Sequence, residues 1–215
     1  MKEATDRITT RVTTEKSELS EEANQEGQDR FMLTHRIIPT RYKKARFLKI
    51  QGEAVAVDMA KDCVKDGKTS LFITGKSGCG KTMLAAATAM AWAFKNAAIT
   101  YDKPPIWVNV NEFCFEMREA IKEGRESDVM NHYARTPLLI FDDIGVQQDT
   151  DYSLSNIYLL LNRRWESEKV SIITSNDTLE VIGQKMGVRV ADRILRSCEI
   201  VKMEQGSFAL RKGKK

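Results

Sequence analysis

Eight consecutive residues constrain this chain more than any other part of it. Gly75-Lys76-Ser77-Gly78-Cys79-Gly80-Lys81-Thr82 fits the pattern G-x-x-x-x-G-K-[ST], directly after the strand-like run Leu71-Phe72-Ile73-Thr74 and directly before a helical stretch. Glycines let the backbone turn so that successive N–H groups and the following helix N-terminus face a polyphosphate. Lys81 then adds a point charge and Thr82 a hydroxyl ligand for Mg²⁺. The expectation is a nucleoside triphosphate held by residues 75–82.

A second feature lies downstream. Leu138-Leu139-Ile140-Phe141 is an apolar run short enough for a buried strand, and it ends in Asp142-Asp143. A carboxylate at the C-terminal end of a central parallel strand lies beside the phosphate loop, where Asp142 is expected to hold the hydrated Mg²⁺. Asp143 is expected to polarise the attacking water. Asp is a methylene shorter than the Glu that many sites of this kind carry, so slow hydrolysis is expected.

With 215 residues, 42% of them hydrophobic, the chain can bury one domain and carry a tail, but it is too short for two ordinary α/β domains. Cys63, Cys79, Cys114 and Cys198 are far apart and only two histidines are present, so no zinc pattern can be assembled. The N-terminus has no secretory character, and the most apolar stretch, Met83 to Phe94, is too short to span a bilayer. A soluble, cytoplasmic protein with reduced thiols and no membrane contact is expected. Charge is unevenly spread: residues 1–30 hold five basic and eight acidic side chains, residues 185–215 nine basic and three acidic. The C-terminal end is therefore a candidate polyanion contact, with a solvated charged surface as the alternative.

Residues 1–30 are rich in Thr, Glu and Ser and hold no aromatic residue, which predicts a disordered tail. An ordered domain is expected over 31–207, followed by a basic tail at 208–215. Helices are predicted from about Gly52 to Lys65 with Val55, Met59, Ala60 and Val64 inward, and over Met83 to Phe94. A third is capped by Asn111 and runs to about Lys122, with Phe113, Met117, Ala120 and Ile121 inward. A shorter one spans Asp128 to Tyr133, and the last carries Leu154, Ile157, Tyr158, Leu161 and Trp165 on one face. Strands are predicted at 71–74, 106–110, 138–141, 170–174 and 200–203. Strands alternating with helices predict an α/β fold with a central parallel sheet covered on both faces.

In order and spacing, these parts resemble the AAA+ ATPases, and within them the DnaC-type helicase loaders and the related IstB-like transposition ATPases. The resemblance covers about Ile37 to Ser207. It is carried by Ile38-Pro39-Thr40-Arg41-Tyr42, the phosphate loop, Leu138 to Gly145, Arg164-Trp165, Ile173-Thr174-Ser175-Asn176 and Arg189-Val190-Ala191-Asp192-Arg193. It implies a three-layer P-loop NTPase (AAA+) fold that binds ATP with Mg²⁺. It also implies that Asn176 is the polar sensor orienting the lytic water beside Asp143, and that Arg193 is an arginine finger given to the ATP of a neighbouring subunit. Arg189, four residues earlier on the same helix face, competes for that role. Gly206-Ser207-Phe208-Ala209-Leu210-Arg211 departs from the family's late sensor run, since Arg211 comes later than expected. The N-terminal region also departs: about thirty polar residues stand where loaders have a folded extension.

The resemblance points to a DNA-replication ATPase that loads a replicative helicase, assembles through its arginine finger and binds single-stranded DNA when it holds ATP. A transposition ATPase acting on duplex DNA, and a nucleotide-dependent interaction switch with little turnover, are the alternatives. A small-molecule kinase would carry the same loop, but no Arg-rich lid segment follows the Asp-Asp strand.

Overall fold

The structure, a computed structural model, describes residues 38–50, 53–96, 104–145 and 150–204. The tails expected at 1–30 and 208–215, and Arg211, lie outside the described residues.

Among the described residues five strands form one all-parallel sheet: β1 (Ser70–Gly75), β2 (Ile106–Asn109), β3 (Leu138–Ile144), β4 (Val170–Ser175) and β5 (Cys198–Met203). Their order is β2-β3-β4-β1-β5. From β1 the chain crosses to β2 at the far edge and returns through β3 and β4, then passes over β1 to β5. The direction of winding thus changes between β1 and β4, and a crevice opens at the C-terminal ends of those strands.

Among the described residues seven α-helices connect or precede the strands: α1 (Ala54–Asp66), α2 (Lys81–Lys95), α3 (Val110–Glu123), α4 (Glu126–Arg135), α5 (Asp151–Glu166), α6 (Leu179–Met186) and α7 (Val188–Ser197). Alternation along the strands divides the core into two layers. Phe72, Leu139, Phe141 and Ile173 pack with Phe113, Met117, Tyr133, Ile157 and Ile194 from α3, α4, α5 and α7. The Phe113 ring meets Tyr133 and Phe141 edge-on, with centroids 5.3 and 5.6 Å apart. The intervening Leu71, Ile73, Ile140 and Ile172 are fully buried and turn toward the other face, where α1 and α2 pack on the sheet. α2 is buried nearly all round, as its Ala-rich, apolar sequence predicts.

Three local expectations are corrected. The buried face of α1 is Ala56, Val57, Ala60 and Cys63, while Val55 is 75% exposed. Small residues let α1 approach α2 closely, so the face is set by Ala and Cys rather than by the bulkier side chains. Asn109, not Asn111, caps α3: its Oδ1 accepts the Asn111 N–H at 2.9 Å, and Glu112 closes a capping box. Val110 consequently leaves the strand for the first helical turn. Ile121, expected inward, is 46% exposed.

Arg164, noted in the sequence only as part of a motif, is 1% exposed. Its Nε donates to Ser171 Oγ (2.8 Å), Nη1 to the carbonyls of Tyr133 (2.8 Å) and Thr136 (2.9 Å), and Nη2 to the Val170 carbonyl. It satisfies the carbonyls at the C-terminal end of α4 and ties them to the start of β4.

Candidate nucleotide site

The site is built at the C-terminal ends of β1, β3 and β4. The chain leaves β1 through Gly75, where a Cβ would stand 2.3 Å from the Met203 carbonyl oxygen of β5. Only glycine lets the loop start this close to its neighbouring strand. Gly80, at φ 109°, is the left-handed residue from which α2 begins, so the first-turn N–H groups of α2 face the loop. The loop is closed by the Cys79 N–H donating to the Lys76 carbonyl at 3.2 Å, and the Cys79 side chain is fully buried.

Lys81 is 5% exposed. Its Nζ donates to the carbonyls of Gly75 (2.9 Å) and Lys76 (3.1 Å) and to Asn176 Oδ1 (2.7 Å). The ammonium is thus gathered into the concavity of the loop, and the residue predicted as sensor touches the residue predicted to bind phosphate across 95 positions of sequence.

Thr82 and Asp142 also meet, the Thr82 Oγ1 standing 3.4 Å from Asp142 Oδ1. Burial pushes the Asp142 carboxyl above the ordinary carboxylate range, and the neighbouring Asp143 charge adds to this. Hydrogen bonds from Thr174 and Thr82 and the charge of Lys81 oppose the rise. A desolvated carboxylate beside the Thr82 hydroxyl fits Mg²⁺, which takes one or two protein oxygens and leaves the rest of its octahedron to phosphate and water.

Asp143 follows in the left-handed region at φ 63°, at an irregularity where Phe141 pairs with Ile173 and Ile144 with Ser175. Three steps along β3 match two along β4, so both acids face Thr174. That residue is fully buried. Its Oγ1 donates to Asp142 Oδ1 at 2.6 Å and accepts the Asp143 N–H at 3.0 Å. Next to it, Ser175 Oγ donates to the Ile144 carbonyl (2.7 Å) and accepts the Asp177 N–H (3.0 Å), fixing the turn that carries Asn176. Sequence reading assigned no role to Thr174 or Ser175, and the signal was two adjacent hydroxyls closing the central strand after Ile172-Ile173.

Lys81, Thr82, Asp142, Asp143 and Asn176 are therefore brought together with the loop Gly75, Lys76, Ser77, Gly78, Cys79 and Gly80. Arg193 is not. Its guanidinium lies 4.2 Å from the ring centroid of Trp165 on α5, and its Nε and Nη1 are buried without a hydrogen-bond partner. Arg189, one turn earlier on α7, is exposed. A cavity of about 810 Å³ at the opposite ends of β1 and β4, lined by Ser70, Ser171, Trp165 and Arg196, contains none of the predicted site residues. Among the described residues no helix is long and apolar enough to cross a membrane.

A profile of the IstB-like ATP binding protein family matches residues 53–215. The replicative helicase loader DnaC of Escherichia coli K12 is 28% identical over 152 residues, which are 68% of this chain and 60% of DnaC. The chain thus spans less than two thirds of that relative's length. A crystal structure of the DnaC helicase loader superposes with a TM-score of 0.69 at 21% identity, covering 77% of this chain and 99% of that one. The replication initiator DnaA bound to AMPPCP and single-stranded DNA superposes with a TM-score of 0.65 at 22% identity, covering 79% of this chain and 51% of that one. At these identities the superpositions establish the fold, that of the P-loop AAA+ proteins.

Proposed function

The chain belongs to the family of IstB-like ATP-binding proteins, and from that premise we propose that it is a slow, Mg²⁺-dependent ATPase of the helicase-loader type. In this reading it assembles with copies of itself when it holds ATP, contacts single-stranded DNA and acts on a replicative helicase. The observation that carries it is the meeting of Lys81, Asn176, Thr82 and Asp142 at the ends of three adjacent strands.

The loop N–H groups and Lys81 bind the β- and γ-phosphates, which requires Lys81 to exchange its carbonyl partners for phosphate oxygens. Thr82 and Asp142 would hold Mg²⁺, which when bound would neutralise charge on the phosphates. Asp143 and Asn176 flank the γ-phosphate and orient the attacking water. With a carboxylate a methylene short of Glu, Asp143 stands farther from that water, and slow turnover is expected.

Self-association uses α7. Val188 and Leu195 are 77% and 60% exposed on it, and with Leu179 they border a groove between α6 and α7. Apolar surface beside Arg189 and Arg193 suits a contact with a second copy whose nucleotide receives the arginine. Arg189 reaches outward as it stands, whereas Arg193 must leave Trp165, a contact worth roughly 0.5–2 kcal/mol. The likeness to DnaC supports the loader role. The family itself supports a second reading, a transposition ATPase acting on duplex DNA.

Sedimentation velocity with and without ATP, in parallel with binding to single- and double-stranded oligonucleotides, tests the proposal. ATP-dependent assembly together with tighter single-strand binding is expected. A preference for duplex would favour the transposition reading, and a monomer indifferent to ATP and to DNA would contradict both. Arg189→Ala and Arg193→Ala, each mixed with Asp143→Asn, identify the arginine: the variant that binds ATP, is inactive alone and regains turnover in the mixture is the one acting in trans. Such an arginine is worth on the order of 10³-fold or more in rate.

A further inference from the structure

We propose that Thr174 is a positioning residue that sets both acids of the site through a single buried hydroxyl, an inference that rests on the ATPase reading above. A threonine hydroxyl has one proton to give and lone pairs to accept with. Here the proton goes to Asp142 Oδ1 at 2.6 Å, and the oxygen accepts the Asp143 N–H at 3.0 Å. Because Thr174 is fully buried, no water can replace either bond without opening the sheet.

The two bonds do different work. The first fixes which carboxylate oxygen of Asp142 faces Thr82 and leaves the second oxygen for the metal. The second replaces a ladder hydrogen bond lost where β3 carries an extra residue against β4. It also anchors Asp143 at φ 63°, a backbone conformation that a residue with a Cβ keeps only when its surroundings hold it there. Released from Thr174, the Asp143 peptide can relax toward an ordinary extended conformation, and its carboxylate swings away from the γ-phosphate position. One hydroxyl thereby couples metal coordination to water orientation, and it does so from a strand that carries neither acid.

The test compares Thr174→Val, which keeps the shape and loses the hydroxyl, with Thr174→Ser, which keeps the hydroxyl and loses the methyl. Two quantities are read. The first is amide hydrogen exchange at Asp143 by NMR in the nucleotide-free protein. The second is the affinity for a fluorescent ATP analogue in EDTA and across a Mg²⁺ titration. T174V is expected to exchange the Asp143 amide at least tenfold faster and to need at least tenfold more Mg²⁺, with unchanged affinity in EDTA, while T174S follows the wild type. Wild-type exchange and Mg²⁺ requirement in T174V would overturn the proposal, as would a T174S protein as impaired as T174V. If T174V does not fold, Thr174→Ala takes its place. Failure of both to fold while T174S remains intact would overturn the positioning role in favour of a purely structural one. A wild type that binds no nucleotide would sink the ATPase reading, whereas the exchange comparison would still decide whether Thr174 holds the Asp143 backbone.

Discussion

At Asp142 the chain accepts a cost in stability at a place where a metal would relieve it. Its carboxyl titrates above the ordinary range, chiefly because it is buried and then because Asp143 lies next to it. A carboxyl whose folded-state pKa is raised disfavours the folded form as pH climbs through the window between its unfolded and folded values. Below that window the penalty is absent, and above it the penalty is complete. Asp142→Asn should therefore melt at the same or a higher temperature than the wild type at pH 7 without nucleotide, with the difference shrinking as pH falls through the window in which the buried carboxyl takes up its proton. The same variant should lose the rise in melting temperature that Mg²⁺ with ATP gives the wild type. A large fall in melting temperature at pH 7 would show that the carboxylate is a structural anchor instead. The phosphate-loop residues and the Asp-Asp pair are contiguous and follow apolar runs, so they are legible in sequence. The hydroxyl of Thr174 is not, because it meets Asp142 across 32 positions and only the sheet register places it there. Arg193 was legible as an arginine on a helix face, but its stack on Trp165 depends on how α7 lies against α5.

Among the elements, strands were easier to locate than helix faces, and the reason is physical. A central parallel strand is apolar on both sides, so its run of Leu, Ile, Val and Phe needs no register to be recognised. A helix face depends on which side meets a neighbour, and in α1 the small residues Ala56, Ala60 and Cys63 decide it, while Val55 points to solvent. Caps are similarly ambiguous where asparagines cluster, as Asn109 and Asn111 do. The Glu three residues after Asn109 was the available signal, and it completes the capping box. Asn109→Ala should destabilise the protein by about 1 kcal/mol, read as a lower urea midpoint with unchanged slope, whereas Asn111→Ala should stay within about 0.5 kcal/mol of the wild type. Equal losses for the two variants would place the cap elsewhere.

For the molecule as a whole, the sheet order β2-β3-β4-β1-β5 dictates where chemistry can occur. The winding reverses beside β1, so the loop after β1, the acids at the end of β3 and the polar turn after β4 converge without any of them being near in sequence. The order of parts along the chain was enough to anticipate this arrangement. The groove between α6 and α7 was not legible, because Leu179 on α6 joins the exposed Val188 and Leu195 of α7 only once the two helices fold against each other. Calorimetric titration of ATP in Mg²⁺ decides whether residues 75–82 with Asp142 form a working ATP site. Saturable one-site binding is predicted for the wild type. For Lys81→Ala the loss of a charge-assisted contact should weaken binding by roughly 1.5–3 kcal/mol, about 10- to 150-fold, with the fold intact by circular dichroism. A wild type that gives no binding heat at any temperature tried, or a Lys81→Ala protein that binds ATP as tightly as the wild type, would show that these residues are not an ATP site.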